Sequence, residues 1–353
     1  MERVRIGVIG CGAIGQTHVD SAAASPEIEL VAIADLREDV LKSFADKHGV
    51  EAAYGEGEEL LGDDRVEGVV LAMPAHVRTE LGLKVLASGK HLLTEKPVAM
   101  NAGEVRQLLD AKGDLVAGCC SSRFRFLPHA EEATAFVASG ALGDLRVVHC
   151  RVMRQVKGAP KPNPPPWRLK KALNGGGTLM NWGCYDLDYL MGITGWRLKP
   201  THVLARTWQV PPAFQAHAAE GPDAETHYSA LIACENGTVI QMERAEMAAA
   251  GVESAWKLTG TSGSLDMTLD VGNEKEMVFH QADGDSGVRS ETLWQGDESY
   301  EQILPKCVVD FAHAIRDGHA PKTSLEQALV MQEIFDAIYA SADTGEAVRI
   351  EHH

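Results

Sequence analysis

The chain has 353 residues, of which 45% are hydrophobic and 24% are charged, and its formal net charge is −17. This length exceeds what one ordinary hydrophobic core uses, so we expect two domains in a protein of globular composition. Because the net charge is strongly negative, neither nucleic acid nor an acidic membrane surface is expected as a partner.

The first 121 residues alternate apolar strands with helices. The predicted strands are 4–9, 28–34, 66–73, 91–94 and 114–120. Helices are expected between them, the last one capped by Asn101 with Glu104 in its first turn. Nearly continuous apolar strands that alternate with helices are typical of a doubly wound parallel sheet. We therefore predict a domain with a doubly wound parallel sheet over residues 1–121.

The turn between the first strand and the first helix has the sequence GCGAIG. Gly10 would allow a tight turn, Gly12 would let the backbone approach a pyrophosphate, and Gly15 would let the helix pack closely on the strand. The free N–H groups at the start of this helix would bind the pyrophosphate. The predicted residues of this dinucleotide site are Gly10, Gly12, Ala13, Ile14, Gly15, Asp35, Pro74, Glu95 and Lys96.

Asp35 ends the second strand, where an acidic residue can bind the adenine ribose. Its carboxylate would accept hydrogen bonds from the ribose hydroxyls and repel a 2′-phosphate, which favours NAD over NADP. Arg37 leaves NADP open, since it would pair with that phosphate if its side chain turned inward.

Lys96 follows the strand HLLT at 91–94. Ligands of open parallel sheets bind outside the carboxyl ends of the strands, so Lys96 is expected in the cleft. Pro97 restricts the Lys96 backbone to extended conformations and helps to fix the direction of its side chain. The alternative is a solvated lysine at a strand end.

After Cys120 the pattern changes to strand-like runs with few helices between them, which predicts a large, open, mostly antiparallel sheet. Residues 157–168 form a proline-rich loop, and a glycine loop that continues into a helix follows at 174–192. Two further helices are expected near 302–317 and 323–342. We predict that residues 122–353 form a second, α+β domain.

Five motifs occur in order along the chain: GCGAIG at 10–15, Ala34-Asp35, AMP at 72–74, GKHLLTEKP at 89–97 and GGGTLMNWGCYDLD at 175–188. As an ordered set they resemble the glucose-fructose oxidoreductase/inositol dehydrogenase/MocA family over nearly the whole chain. The resemblance implies a Rossmann domain and a substrate domain whose open sheet often mediates oligomerisation, so a homodimer or homotetramer is expected. It also implies hydride transfer between nicotinamide and a sugar, polyol or related polyhydroxylated compound.

The resemblance makes Lys96 the catalytic lysine of the Glu-Lys-Pro motif. An ammonium at this position can hydrogen-bond the reacting hydroxyl or carbonyl and stabilise alkoxide charge. Glu95 would either orient that ammonium or contact the nicotinamide ribose.

The second catalytic element departs from the family pattern, which has Asp and, four residues later, His. This chain has Asn181 and Tyr185 there, expected on one helix face that Asp188 extends by a turn. Tyr185 is a candidate proton donor or acceptor, and Lys96 would lower its pKa from about 10 if the two meet. Asn181 keeps hydrogen bonding without the charge, which leaves open whether activity is retained, weakened or redirected. The alternative is a helix that only packs, with Tyr185 as filler.

The substrate site is predicted from the residues that flank this helix. Trp167 and Arg168 would stack on a sugar ring and hydrogen-bond its hydroxyls, although a tryptophan after three prolines is as often a loop anchor. The predicted substrate-binding residues are Arg125, Trp167, Arg168, Asn181 and Tyr185. Weaker candidates are His18, His76, Arg123, Asp186 and Asp188.

The remaining features predict a cytoplasmic protein. The seven cysteines are odd in number and lack the spacing of a zinc half-site, so we expect reduced thiols. No His, Asp and Glu cluster has metal-ligand spacing, so no catalytic metal is predicted. We find no signal peptide and no apolar stretch of about 18 residues. The terminal His352-His353 pair is either native or a tag remnant.

We predict an NAD(P)-dependent dehydrogenase or reductase in which Lys96 and Tyr185 handle the proton of the reacting hydroxyl. One alternative is an enzyme that oxidises a sugar transiently, eliminates a glycosidic substituent and takes the hydride back, with no net NADH. Another is a dinucleotide-binding sensor with an impaired site, which Asn181 favours and the intact Lys96 and Tyr185 oppose.

Overall fold

The computed structural model describes residues 2–269, 275–297 and 302–352, whereas His353 of the terminal pair lies outside the described residues. These residues divide into two compact units, and residues 302–332 belong to the unit that contains residues 2–123. The predicted second domain, 122–353, therefore loses a segment to the first. Gly68 shows the reason: a Cβ there would lie 2.9 Å from Ile315 and 3.0 Å from Phe311, so the segment packs directly on the first sheet.

The first unit contains the predicted parallel sheet, which the structure confirms. Its described strands are β1 (Val4–Ile9), β2 (Ile28–Ala34), β3 (Ala52–Tyr54), β4 (Gly68–Leu71), β5 (His91–Thr94) and β6 (Ala117–Cys119). They are all parallel, in the order β3-β2-β1-β4-β5-β6. The strand order reverses at β1, so a crevice opens beyond the carboxyl ends of β1 and β4. The pattern did not predict β3, because its three residues, unlike those of β6, do not belong to a longer apolar run.

The second unit contains a mixed sheet, and its mostly antiparallel character is also confirmed. Its described strands are β7 (Leu145–Met153), β8 (Pro200–Trp208), β9 (His227–Cys234), β10 (Val239–Ala245), β11 (Glu253–Gly260), β12 (Gly263–Met267), β13 (Lys275–Asp283), β14 (Gly287–Gly296) and β15 (Val348–Arg349). Their order is β14-β13-β12-β11-β7-β10-β9-β8-β15, and β7 and β10 are the parallel neighbours.

Ten α-helices occur in the described residues. They are α1 (Ala13–Ala24), α2 (Glu38–His48), α3 (Gly57–Leu61), α4 (Ala75–Ala87), α5 (Ala102–Lys112), α6 (Pro128–Ala138), α7 (Lys171–Asn174), α8 (Cys184–Ile193), α9 (Lys306–Asp317) and α10 (Leu325–Thr344). The Asn101 side chain accepts the Glu104 N–H at 3.0 Å and caps α5 as predicted. No helix among these is both long and apolar enough to cross a bilayer.

The two faces of the mixed sheet differ in burial. In β9, Tyr228 and Ile232 are fully buried, whereas Leu231 is 46% exposed. Leu204 and Trp208 of β8 are similarly exposed, at 48% and 47%. One face therefore forms the core of the unit, and apolar side chains remain on the other face.

Candidate active site

The GCGAIG turn has the geometry that the sequence predicts. Gly10 has a φ of +94°, which favours glycine, and a Cβ on Gly15 would lie 1.8 Å from the Gly10 carbonyl oxygen. A Cβ on Gly12 would meet no atom within 4 Å. Gly12 is the N-cap of α1 and has no side chain that could cap the helix. The first backbone N–H groups of the helix, which include those of Ala13 and Ile14, are therefore available to an anion.

A cavity of about 550 Å³ lies beside this turn. Gly10 and Gly12 line it at one side, and Pro74, at the start of α4, lines it at another. Asp35 and Arg37 at the end of β2 also contribute to its wall. The uncapped helix, the open space above Gly12 and the acidic strand end fit the pyrophosphate and adenine ribose of NAD.

Asp35 accepts four hydrogen bonds in this wall. The backbone N–H of Cys11 donates to it at 2.7 Å, and the backbone and guanidinium of Arg37 donate at 2.9 to 3.0 Å. Burial works to raise the pKa of Asp35, but these hydrogen bonds outweigh it and lower the pKa. The carboxylate is therefore charged near neutral pH. Because Arg37 lines the same cavity, binding of NADP stays open.

Lys96 lies at the carboxyl end of β5 and is half-buried. Its backbone N–H donates to Glu95 Oε2 at 3.0 Å. The other Glu95 oxygen lies 2.8 Å from His18 Nε2 and accepts a hydrogen bond from the Arg123 guanidinium. Burial works to raise the pKa of Glu95, but the charge of Arg123 and the hydrogen bond with His18 hold it well below its usual range. Glu95 is thus a buried carboxylate that anchors the Lys96 backbone, and its contact with nicotinamide ribose stays a prediction.

His18, Glu95 and Cys120 also form a group whose ligand atoms lie within 4.8 Å of one another, close enough to hold a metal ion. Both Glu95 oxygens already accept hydrogen bonds, one of them from the positively charged Arg123. A cation at this point would face that guanidinium. The arrangement therefore favours an ion pair that positions Lys96.

In the second unit, Asn181 lies in a π-helical turn, Leu179–Gly183, that leads into α8. Its side-chain amide donates to the carbonyl oxygens of Arg168 (3.1 Å) and Gly177 (3.0 Å). Tyr185 is 2% exposed, and its ring packs against Phe124 with a centroid distance of 5.3 Å. The substrate and catalytic roles of Asn181 and Tyr185 stay predictions.

Asp186 and Asp188, the weaker substrate-site candidates on this helix, are turned away from solvent, and their contact with a substrate stays a prediction. Both are fully buried, and Asp186 forms two hydrogen bonds with the Arg244 guanidinium at 2.7 and 2.8 Å. Arg125 donates to Asp188 at 2.6 Å and stacks over Trp196. The π-helical turn changes the helical spacing, so Asp188 does not simply extend the face of Asn181. Substrate binding by Arg125 stays a prediction, although its guanidinium already bonds Asp188.

Trp167 and Arg168 lie in a short 3₁₀ helix, Pro166–Leu169, where Trp167 is 37% exposed. Arg168 Nη2 is 3.7 Å from the carboxylate of Glu246. Their contact with a sugar stays a prediction. The two side chains are accessible to a ligand in the second unit.

The sequence analysis missed Glu225, which holds the glycine loop. Its carboxylate accepts the backbone N–H groups of Gly177 and Leu179, each at 2.9 Å, and the Tyr339 hydroxyl at 3.1 Å. A Cβ on Gly177 would lie 1.8 Å from the Glu225 carbonyl oxygen, which explains this glycine. Because Glu225 is about 50 residues away in the sequence, no local pattern could have identified it.

Two family models match the chain, and together they span most of it. Residues 4–114 match the model described as "Oxidoreductase family, NAD-binding Rossmann fold", and residues 130–266 match the "GFO/IDH/MocA C-terminal domain". Both models belong to the family that the five motifs resemble.

Named relatives match over nearly the full length. The chain is 24% identical over 350 residues to myo-inositol 2-dehydrogenase of Thermotoga maritima, covering 99% of each chain. It is 26% identical over 350 residues to D-xylose 1-dehydrogenase (NADP(+)) 2 of Haloferax volcanii, covering 98% of this chain and 99% of that one. The structure of levoglucosan dehydrogenase in complex with NADH and L-sorbose has the same fold, with a TM-score of 0.86 and 21% identity over the full length of both chains. The chain therefore belongs to the Gfo/Idh/MocA family of NAD-binding oxidoreductases.

Proposed function

We propose that this protein oxidises or reduces a sugar, polyol or related polyhydroxylated compound with NAD, and that Lys96 and Tyr185 handle the proton of the reacting hydroxyl. The observation that carries the proposal is the position of Lys96. It lies at the carboxyl end of a strand in an NAD-binding sheet, with its backbone anchored by the buried carboxylate of Glu95. The names of the relatives supply the substrate class.

In the oxidising direction the substrate carbon loses a hydride and its hydroxyl loses a proton. When bound, NAD supplies the hydride acceptor. The Lys96 ammonium would donate a hydrogen bond to the substrate oxygen and stabilise the negative charge that develops there. Tyr185 is the proposed acceptor of the proton, and the donor in the reverse direction.

Replacement of the lysine tests this proposal. Lys96→Met keeps the length of the side chain but removes its charge and donors, so we expect turnover to fall by roughly 10²-fold or more while NADH affinity stays within about threefold. NADH fluorescence titration and nicotinamide absorbance with myo-inositol, D-xylose and levoglucosan measure the two quantities. Lys42→Met, at an exposed lysine of α2, is the matched control and should match the unmodified protein.

Three results separate the possible functions. Near-normal turnover in Lys96→Met would refute the role of the lysine. No net NADH with any compound, together with normal NADH binding, would favour transient oxidation or a sensor. Loss of NADH binding in Lys96→Met would show that Lys96 acts mainly as the cofactor contact that the dinucleotide site also predicts.

We also propose that the protein is a homodimer or homotetramer that associates through the outer face of the mixed sheet. Leu204, Trp208 and Leu231 are 46 to 48% exposed on this face, beside a depression of about 480 Å³. Large apolar side chains exposed together on neighbouring strands are typical of an interaction surface. A cytoplasmic location is part of the proposal, because none of the seven cysteines, all of which lie within the described residues, forms a disulfide.

A further inference from the structure

The side-chain amide of Asn181 connects two segments of the second unit. Nδ2 lies 3.1 Å from the carbonyl oxygen of Arg168 and 3.0 Å from that of Gly177, and the side chain is 3% exposed. Both neighbours are acceptors, and an amide nitrogen has two hydrogens to give. Asn181 therefore uses both donors to join the loop before α7 to the glycine loop.

An aspartate could not make this connection. An ionised carboxylate only accepts hydrogen bonds, so at position 181 it would place a buried negative charge against two carbonyl oxygens. A protonated carboxyl would donate one hydrogen bond and leave the second of the two carbonyl oxygens without a donor. The departure from the family's aspartate therefore has a local physical reason.

Further hydrogen bonds join both of these segments to residues 221–226. The carbonyl of Leu169 accepts the N–H groups of Asp223 and Ala224 at 3.0 and 3.2 Å. Glu225, the next residue, holds the glycine loop through the N–H of Gly177. Segment 221–226 is thus hydrogen-bonded to segments 166–170 and 175–181. The amide of Asn181 bonds these last two segments to each other.

The residues fixed in this way are those predicted to contact the substrate. Arg168 contributes the bonded carbonyl, and Trp167, immediately before it, is 37% exposed. The segment before them, 157–165, has no helix or strand. The orientation of both side chains therefore depends on how the backbone at Arg168 is held.

We propose that Asn181 is a positioning residue, not a proton-transfer group: its amide fixes the Arg168 carbonyl and so sets the conformation of Trp167 and Arg168 for a polyhydroxylated ligand. The part of this inference that concerns the ligand rests on the proposed function. The part that concerns the loop does not.

The loop is tested without any substrate by limited trypsin digestion at about pH 8, followed by mass spectrometry. Trypsin cleaves at the carbonyl that Asn181 holds, so Asn181→Ala and Asn181→Asp should each speed cleavage after Arg168 by roughly tenfold. Cleavage after Arg206, within β8, should keep its original rate, which excludes global unfolding. Asn236→Asp is the matched control, because the Asn236 side chain accepts a hydrogen bond from the Thr238 N–H and a carboxylate can do the same.

Kinetics with myo-inositol and D-xylose test the positioning role. Asn181→Ala should raise KM by roughly tenfold while kcat stays within about threefold, because the variant loses ligand positioning and keeps the reacting groups. In Asn181→Asp, KM should also rise with increasing pH as the buried carboxyl, whose pKa desolvation raises, becomes ionised, a dependence that Asn181→Ala lacks.

The two tests fail independently. Unchanged cleavage after Arg168 in both variants would overturn the inference, whatever the protein oxidises. A loss of kcat with unchanged KM in Asn181→Ala would also overturn it and would make Asn181 part of the chemical step. If both variants are cleaved faster after Arg168, but neither they nor the unmodified protein oxidise any compound, the assignment of the loop stands and the proposed function is refuted.

Discussion

Asp35 and Arg37 lie together in the wall of the cavity beside the glycine turn, and their pairing makes the predicted cofactor preference testable. In Asp35→Ala the ribose hydroxyls lose a charged acceptor, and the repulsion of a 2′-phosphate disappears. We expect the dissociation constant for NADH to rise by roughly tenfold or more and that for NADPH to change little or to fall. Fluorescence titration with NADH and NADPH measures the two dissociation constants.

Asp46→Ala serves as the control for Asp35→Ala, since Asp46 is exposed on α2 and pairs with Lys42. Its affinities should equal those of the unmodified protein. An equal loss of affinity for NADH and NADPH in Asp35→Ala would contradict the role of this carboxylate at the ribose.

The ionised state of Glu95 predicts how the stability of the protein depends on pH. Because its pKa is lowered in the folded protein, its contribution to stability is complete above the unfolded-state pKa of about 4.3 and is lost as the pH falls through the folded-state value. Glu95→Gln leaves Arg123 buried without its carboxylate, so we expect a loss of about 3 kcal/mol in unfolding free energy near pH 7. The difference between the two proteins should stay constant from about pH 6 to pH 8 and shrink below about pH 4.5.

Urea denaturation at several pH values measures the effect of Glu95→Gln. Glu80→Gln is the comparison, because Glu80 pairs with Lys84 on an exposed surface and should contribute nothing measurable. A difference that grows on acidification would show that Glu95 is not held as a carboxylate.

At the scale of elements, the two glycines that flank the start of α1 should respond differently to alanine. A Cβ on Gly12 meets no protein atom, so Gly12→Ala should keep its Tm within about 2 °C and yet weaken NADH binding by roughly tenfold, since the methyl group occupies the space for the pyrophosphate. A Cβ on Gly15 would lie 1.8 Å from the Gly10 carbonyl, so Gly15→Ala should lower the Tm as well.

Thermal unfolding and NADH titration of the same preparations separate the two glycine effects. Gly251→Ala is the matched control, because its Cβ also meets no atom and it lies in the other unit. Normal NADH affinity in Gly12→Ala would show that the pyrophosphate does not bind over this turn.

The helix that carries Asn181 and Tyr185 was predicted as an element but not in detail. Its glycine loop and apolar run are local signals, and they placed it correctly. The π-helical turn was not predicted, and Asp186 bonds Arg244 of β10, which is 58 residues away in the sequence. For this reason the sequence alone left the roles of the two aspartates open.

At the scale of the whole molecule, the exposed apolar side chains of β8 and β9 predict self-association. Leu231→Glu places a charge in the middle of this face, so we expect the oligomer to dissociate to the monomer. Size-exclusion chromatography with light scattering measures the mass. Val252→Glu, at a 57% exposed residue outside the strands, should leave the mass unchanged. A monomeric unmodified protein, or an unaltered oligomer in Leu231→Glu, would contradict the proposed interface.

The sequence by itself determined the two kinds of sheet, the glycine turn, the acidic end of β2 and the strand that places Lys96, because each depends on residues that are neighbours in the chain. Only the tertiary structure decided which unit holds residues 302–332, that His18 and Arg123 hold the carboxylate of Glu95, and that the amide of Asn181 holds the Arg168 carbonyl. Periodicity and turn chemistry act over a few residues. The partner of a buried polar group is chosen by packing, which brings together segments that are far apart in the sequence.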